Sequence, residues 1–271
     1  MIGTSIQMEA SGEKGKLSRK YRVLVNDADF TQRLKMSAAF NYFQEIAALH
    51  AEKLGVGFDE LNKKHGAIWI LVRMRVDFNR LPKWNEEVYL ETWPQKPSKV
   101  HFERDYVMKD DAGQVIAKGI SHWVLLQRET KQFLRPAVLE DAFPNSPYPS
   151  PIEEPLGKLK VPGELAGVYQ RVIGCSDIDQ NGHMNNSKYL DFIMDCFSMK
   201  ELRSHEVSSI QVNYVEETFP GDVLMMKKKI LSGEVGEKPG EIYIEGERIQ
   251  DSSVVFRSKI KFIKRDDMEK K

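Results

Sequence analysis

The chain has 271 residues, and its 40 basic and 40 acidic side chains give a formal net charge of zero. This balance offers no electrostatic basis for binding nucleic acid or an anionic membrane surface. The length allows two domains of about 130 residues, and a 41% apolar fraction is typical of a globular protein. Only two cysteines occur, Cys175 and Cys196, which is too few for a disulfide framework. We therefore expect a reducing compartment, the cytoplasm.

Proline marks the predicted domain boundary, because seven of the twelve prolines fall between Pro136 and Pro162. Such a segment disfavours helices and central strands and is typical of an extended surface linker. No run of 18 apolar residues occurs, so no membrane span is expected. The predicted divisions are a flexible lead-in (1–17), an N-terminal unit (18–135), a proline-rich linker (136–165), a C-terminal unit (166–265) and a charged tail (266–271).

The N-terminal half begins with a predicted strand and then a helix over 37–54. Phe40, Phe43, Ala47 and Ala51 recur there at the three-and-four spacing of a helix face. Strands with a two-residue alternation follow, and Asp-Asp-Ala-Gly at 110–113 predicts a hairpin turn. The predicted strands are 21–25, 72–79, 88–93, 102–108 and 115–127.

The C-terminal half repeats this order of elements. Its predicted helix, 187–197, is apolar nearly all round and should be buried. Shifting one half by 150 residues places Asp27, Asp29 and Ser37 on identical residues in the other, which indicates a duplication. Each half therefore predicts an α+β unit, an antiparallel sheet packed on one helix. The predicted strands are 169–174, 210–215, 223–231, 242–250 and 254–263.

The segment 176–189 carries carboxylates, carboxamides and an imidazole between a strand and the apolar helix. We interpret Asp179, Asn181 and His183 as functional, whereas Asp177, Asn186 and Ser187 fit turn and cap positions. The N–H groups at the start of the helix are expected to stabilise a developing oxyanion.

The pattern Asp-x-Asp-x-Asn-x-His-x-Asn-Asn-x-x-Tyr at 177–189 resembles the active-site segment of the acyl-acyl carrier protein thioesterases, of the plastid type and their bacterial relatives. The resemblance extends from about residue 21 to 263. It implies tandem hot-dog units, each a curved antiparallel sheet wrapped on a central helix, and hydrolysis of fatty acyl thioesters of acyl carrier protein. It assigns catalysis to Asp179, Asn181, His183 and, within Tyr-Val-Glu-Glu-Thr, to Glu217. It implies no cofactor or metal and fits a monomer or homodimer.

One residue departs from the family pattern. Many plastid members have a cysteine where this chain has Thr218, so a thiol nucleophile at this position is excluded. Cys175 and Cys196 are predicted to be buried core residues. Two schemes stay open: Glu217 activates a water as general base, or Asp179 attacks directly and forms an anhydride.

The N-terminal half lacks this set of residues. In the shift by 150 residues, Thr31 and Arg33 align with Asn181 and His183. Aligning Leu81-Pro82 with Phe219-Pro220 places Asn79 at the position of Glu217. In the family, this unit holds the acyl chain. Arg73 and Arg75 are predicted to form a solvated strand face. The candidates for lining the chain pocket are Phe40, Phe43, Trp69, Leu71, Met74 and Phe78.

Three alternatives use the same fold: an acyl-CoA thioesterase, an enoyl-thioester hydratase and a non-catalytic acyl-binding protein. The hydratase motif places Asn-Pro before its histidine, unlike Gly182-His183. The other histidines show no metal-ligand spacing, so the sequence predicts no metal site.

Overall fold

The computed structural model describes residues 10–11, 15–143, 146–233 and 240–265. Within these ranges the chain forms four α-helices and twelve β-strands. The helices are α1 (Met36–Lys53), α2 (Phe58–His65), α3 (Lys188–Met194) and α4 (Met199–Ser204). The first seven strands are β1 (Ala10–Ser11), β2 (Leu17–Arg22), β3 (Ala67–Phe78), β4 (Glu87–Pro94), β5 (Phe102–Asp110), β6 (Val115–Gln127) and β7 (Phe133–Leu134). The remaining five are β8 (Ala166–Val172), β9 (His205–Tyr214), β10 (Val223–Ser232), β11 (Glu241–Arg248) and β12 (Val254–Lys264).

The chain divides into two compact units. The N-terminal unit comprises Met1–Leu34, Tyr42–Ile70 and Pro82–Glu153, and the C-terminal unit comprises Lys35–Asn41, Leu71–Leu81 and Glu154–Lys271. The division expected from the prolines, with a linker at 136–165, remains a prediction. The lead-in is described only at 10–11 and 15–17, and the predicted tail lies outside the described residues.

The N-terminal unit contains an antiparallel sheet in the order β1-β2-β4-β5-β6, with β7 paired to β6. The predicted turn at 110–113 joins β5 to β6, and Asp110 accepts the N–H groups of Ala112 and Gln114. Helix α1 packs on this sheet: the Phe43 ring meets the Tyr106 ring edge-on, with centroids 5.2 Å apart. Both rings are fully buried, and burial of a large apolar side chain stabilises a fold by about 1.5–3 kcal/mol.

The C-terminal unit contains the antiparallel order β9-β12-β11-β10-β8. Its other edge is formed by Arg73–Asp77 of β3, which pairs with β9. Tyr189 of α3 packs against the rings of Tyr214 and Phe256. A buried helix therefore lies against an antiparallel sheet in each unit, which confirms the predicted α+β, hot-dog class.

The duplication is visible in the loops that precede α1 and α3. The N–H of Asp29 donates to the carbonyl of Arg33 at 2.8 Å, and the N–H of Asp179 donates to the carbonyl of His183 at 2.8 Å. Both loops also contain a 3-10 turn, at Val25–Asp27 and Cys175–Asp177. The shift of 150 residues therefore aligns equivalent backbone structures.

The same comparison corrects one prediction. Leu34 donates to the carbonyl of Pro82, and its counterpart Met184 donates to the carbonyl of Thr218. Pro82 is thus equivalent to Thr218, and Leu81 is the residue equivalent to Glu217. The prediction of Asn79 was wrong by two positions, because the two prolines used to align the halves are not equivalent.

Two helical regions differ from the predictions. Helix α3 ends at Met194 instead of 197, and a second helix starts beyond Ser198, whose hydroxyl and backbone form a capping box with Glu201. Helix α2 was not predicted, since Leu61 is its one buried residue and it therefore shows no apolar stripe.

The expected solvated face on β3 was also wrong. The Arg75 guanidinium pairs with Asp77 and Glu154, and its side chain is only 16% exposed. Arg73 donates to the carbonyl of Leu156, a buried residue of the proline-rich segment. In the part of the chain that the structure describes, no helix is long and apolar enough to cross a membrane.

Candidate active site

The first part of the site is a tight loop ahead of α3. Oδ1 of Asp179 accepts the backbone N–H of Asn181 at 2.8 Å, and Oδ2 lies 3.4 Å from the side-chain nitrogen of Asn181. Gly182 has a φ of +85°, in the left-handed region that favours glycine. The loop therefore positions Asn181 and His183 through Asp179.

The second part comes from the loop that follows β9. Oε2 of Glu217 lies 3.2 Å from Nε2 of His183, although the two residues are far apart in the sequence. Both groups are accessible, with 45% of the Glu217 side chain and 26% of the His183 side chain exposed. The Phe219 ring packs edge-on against the imidazole, with centroids 5.2 Å apart. The structure thus brings Glu217 against His183, and Asp179 and Asn181 lie in the same tight loop as His183.

Thr218 attaches the Glu217 loop to the His183 loop. It is fully buried, its carbonyl accepts the N–H of Met184, and its hydroxyl lies 2.8 Å from the hydroxyl of Tyr189 on α3. Burial raises the pKa of Tyr189 to about 12, so its hydroxyl keeps its proton at neutral pH. Thr218 therefore holds the preceding carboxylate beside the imidazole.

Arg248, at the end of β11, holds the same loop and was not predicted. Its guanidinium donates to the backbone carbonyl of Glu217 at 3.2 Å and to the carboxylates of Glu216 and Asp222. Glu216 is thus paired with Arg248, whereas Glu217 faces His183. Arg248 lies 31 residues from Glu217, so no local motif connects them.

The expectation of free N–H groups at the start of the helix is contradicted for three of them. Ser187 donates to the side chain of Asn185, Lys188 to the carbonyl of Asn185, and Leu190 to the carbonyl of Ser187. These donors are therefore already used by the loop itself.

The prediction of two buried cysteines is also wrong for Cys175 and is met only in part by Cys196. Cys175 is exposed and Cys196 is partly buried, and both are free thiols. Burial raises the pKa of the Cys196 thiol to about 12, and its Sγ donates to the carbonyl of Phe192. A thiol that stays protonated at neutral pH is a weak nucleophile.

The corresponding loop of the N-terminal unit has the same backbone hydrogen bond but lacks the functional side chains. Oδ1 of Asp29 accepts from the backbone and hydroxyl of Thr31 and from the backbone of Arg33. Thr31 and Arg33 offer no imidazole or carboxamide there. Five of the six predicted chain-pocket residues are buried, and the sixth, Trp69, is partly buried and donates to the carbonyl of Val56.

Comparisons with known proteins agree over most of the chain. The family model of the acyl-ACP thioesterase N-terminal domain matches residues 14–143, and that of the C-terminal domain matches residues 170–262. The oleoyl-acyl carrier protein thioesterase of Coriandrum sativum is 28% identical over 76% of this chain and 60% of its own length. The chain thus spans about three fifths of that chloroplastic relative.

Solved structures show the same architecture. A crystal structure of an acyl-ACP thioesterase from Bacteroides thetaiotaomicron is similar with a TM-score of 0.81 at 26% identity, over 91% of this chain and 97% of that one. The 12:0-ACP thioesterase from Umbellularia californica superposes with a TM-score of 0.77 at 20% identity, over 92% and 94% of the two chains.

Proposed function

The chain belongs to the acyl-ACP thioesterase family, and on that premise we propose that it hydrolyses fatty acyl-acyl carrier protein to free fatty acid and holo carrier, which ends fatty acid synthesis. The contact of 3.2 Å between Glu217 and His183 carries the proposal. A carboxylate beside an imidazole at an accessible surface is suited to taking a proton from water.

In the proposed mechanism, Glu217 is the general base. It takes a proton from a water, whose oxygen adds to the thioester carbonyl. His183 orients the carboxylate through Nε2 and stabilises its charge, and the Asn181 carboxamide, held by Asp179, positions the water or the carbonyl oxygen. The intermediate collapses, the C–S bond breaks, and the thiolate leaves with the proton from Glu217. General base catalysis of this kind contributes about 10²- to 10⁴-fold.

The alternative, direct attack by Asp179, is less well supported by the geometry. Oδ1 of Asp179 accepts the backbone N–H of Asn181, and Oδ2 is directed at the Asn181 side chain. Single-turnover hydrolysis in ¹⁸O-water separates the schemes. We expect the label in the fatty acid only, and label in Asp179 would overturn the water-first scheme.

We propose acyl carrier protein as the carrier because the relatives are named for it. The test is thiol release from matched acyl-ACP and acyl-CoA substrates over a series of chain lengths. We expect a higher kcat/KM on the carrier protein. A higher value on coenzyme A would favour the acyl-CoA thioesterase, and no release from either would favour an acyl-binding protein.

The unit roles are part of the same proposal, with the bounds predicted from the sequence: the segment 18–135 holds the acyl chain and the segment 166–265 carries the chemistry. We also propose a cytoplasmic location, which two free cysteines suit, although the plant relatives are chloroplastic. Fractionation of the native cells tests the location, and light scattering tests the expected monomer or homodimer.

A further inference from the structure

Two histidines that are 21 residues apart in the sequence meet in the N-terminal unit, and neither is assigned to hydrolysis. Glu103 of β5 stands directly opposite His122 of β6 in the register of the sheet. His101 lies two residues before Glu103, immediately ahead of β5. One nitrogen from each imidazole and one carboxylate oxygen lie within 4.8 Å of one another. We name His101, Glu103 and His122 the β5–β6 triad.

The triad is packed more closely than an exposed cluster of charges. The two imidazole rings stack with centroids 3.9 Å apart, and Nε2 of His122 lies 3.0 Å from Oε2 of Glu103. His122 is 5% exposed, and its Nδ1 has no hydrogen-bond partner among the described residues. Histidine binds metals through a neutral imidazole nitrogen.

A further hydrogen bond orients His101. The hydroxyl of Ser98 donates to the carbonyl of His101 at 2.8 Å, and Nδ1 of His101 lies 3.1 Å from the same oxygen. The same oxygen also accepts the backbone N–H groups of Val100 and His101, so Ser98 holds the turn and the imidazole that precede β5. Ligand histidines are commonly oriented in this way by a hydrogen bond at the other nitrogen.

We propose that the β5–β6 triad binds one divalent transition-metal ion of the Zn²⁺ class, with the remaining coordination position open to water. Two imidazoles and one carboxylate form a ligand set typical of zinc, whereas Mg²⁺ and Ca²⁺ prefer oxygen ligands. Zinc–ligand bonds are about 2.0–2.2 Å long, so the triad must contract on binding. The Glu103 side chain is 29% exposed. This exposure leaves the carboxylate room to rotate and gives a metal ion access to the site.

The sequence offers no sign of this site, since His101 and His122 lie 21 residues apart without ligand spacing. Pairing of β5 with β6 creates it. The bound ion would connect the segment before β5 to β6 and raise the stability of the folded chain. None of the triad residues belongs to the hydrolytic cluster, so this proposal is independent of the proposed function.

The test uses the untagged full-length protein, stripped with a chelator, in a Cys175→Ser background so that the exposed thiol does not bind metal. Zinc affinity is measured by competition with a chromogenic indicator, and Co²⁺ absorption reports the coordination. Glu103→Gln and His101→Gln change partly exposed ligands, and His65→Gln, a partly exposed histidine of the same unit, is the control. Circular dichroism checks that each variant folds.

We expect one Zn²⁺ per chain, visible cobalt d–d bands, and binding weakened by at least about 10-fold in Glu103→Gln and His101→Gln. The control variant should bind as the parent does. The proposal is overturned if the folded parent protein binds no stoichiometric Zn²⁺, or if the two ligand variants bind it as tightly as the control.

Discussion

Individual residues decide which of two neighbouring carboxylates can act. Glu216 and Glu217 are adjacent and chemically alike, but Glu216 pairs with Arg248 whereas Glu217 faces His183. The two side chains are about equally exposed, at 46% and 45%, so their partners distinguish them and their accessibility does not. The sequence places both carboxylates in the right loop, and only the folded contacts distinguish them.

The two cysteines should differ in their reactivity. Because burial raises the pKa of Cys196 to about 12, only about one molecule in 10⁴ carries the thiolate there at pH 8. Alkylation with iodoacetamide, followed by mass spectrometry, should therefore modify exposed Cys175 first. Labelling of Cys196 should become faster as the pH rises towards 12.

The double variant Cys175→Ser, Cys196→Ala should keep the hydrolytic rate of the parent. Equal alkylation of the two thiols in the folded protein at pH 8 would contradict the burial of Cys196. Loss of hydrolysis in the folded double variant would contradict a mechanism without a thiol.

At the scale of elements, the loop after β9 is held in place from two sides. Thr218 attaches it to α3 through Tyr189, and Arg248 attaches it to the end of β11. These contacts connect elements far apart in the sequence. Periodicity predicts the strands but not these contacts, because alternation reports burial and not partners.

Loss of the Arg248 guanidinium should slow catalysis without removing a reacting group. We expect Arg248→Gln to lower kcat by about 10-fold, equivalent to about 1.4 kcal/mol, because the Glu217 carbonyl loses its donor. Arg248→Lys should restore part of the rate, and Arg257→Gln, which affects the Glu245 pair on β11 and β12, should not change it. The measurement is steady-state hydrolysis of acyl-ACP beside thermal unfolding. A folded Arg248→Gln variant with an unchanged kcat would contradict this role.

Across the whole molecule, two copies of one architecture have different residues at equivalent positions. The loops before α1 and α3 share their backbone hydrogen bonds, but Thr31, Arg33 and Leu81 stand where the C-terminal unit has Asn181, His183 and Glu217. The fold can thus be conserved in both units while the acid–base groups occur in one.

Matched aspartate variants should separate stability from catalysis. Asp29→Asn should lower the free energy of unfolding by about 1–3 kcal/mol, because this carboxylate accepts three hydrogen bonds, with no effect on kcat. Asp179→Asn should lower kcat by up to about 10²-fold, since Asn181 is then misplaced. Denaturant titration and steady-state kinetics on both variants test this pair. A slower Asp29→Asn variant beside a fully active Asp179→Asn variant would contradict the unit roles.

The sequence predicted the class of fold and most strands, since apolar periodicity is a local signal, and it predicted that Glu217 lies near His183 of the dense segment at 177–189. It missed α2, whose single buried residue leaves no apolar stripe, and it extended α3 to 197, past its end at Met194. It also missed Arg248 and the β5–β6 triad. Both depend on contacts between residues that are distant in the sequence, which local patterns do not encode.

The central claim is that Glu217 is the base for thioester hydrolysis. The most direct measurement is kcat for acyl-ACP hydrolysis by Glu217→Gln and Glu216→Gln, two isosteric changes at adjacent positions. The account predicts a loss of about 10²- to 10⁴-fold in Glu217→Gln and a rate near that of the parent in Glu216→Gln, with both proteins folded. A Glu217→Gln enzyme as fast as the parent, or an equal loss in the two variants, would contradict it.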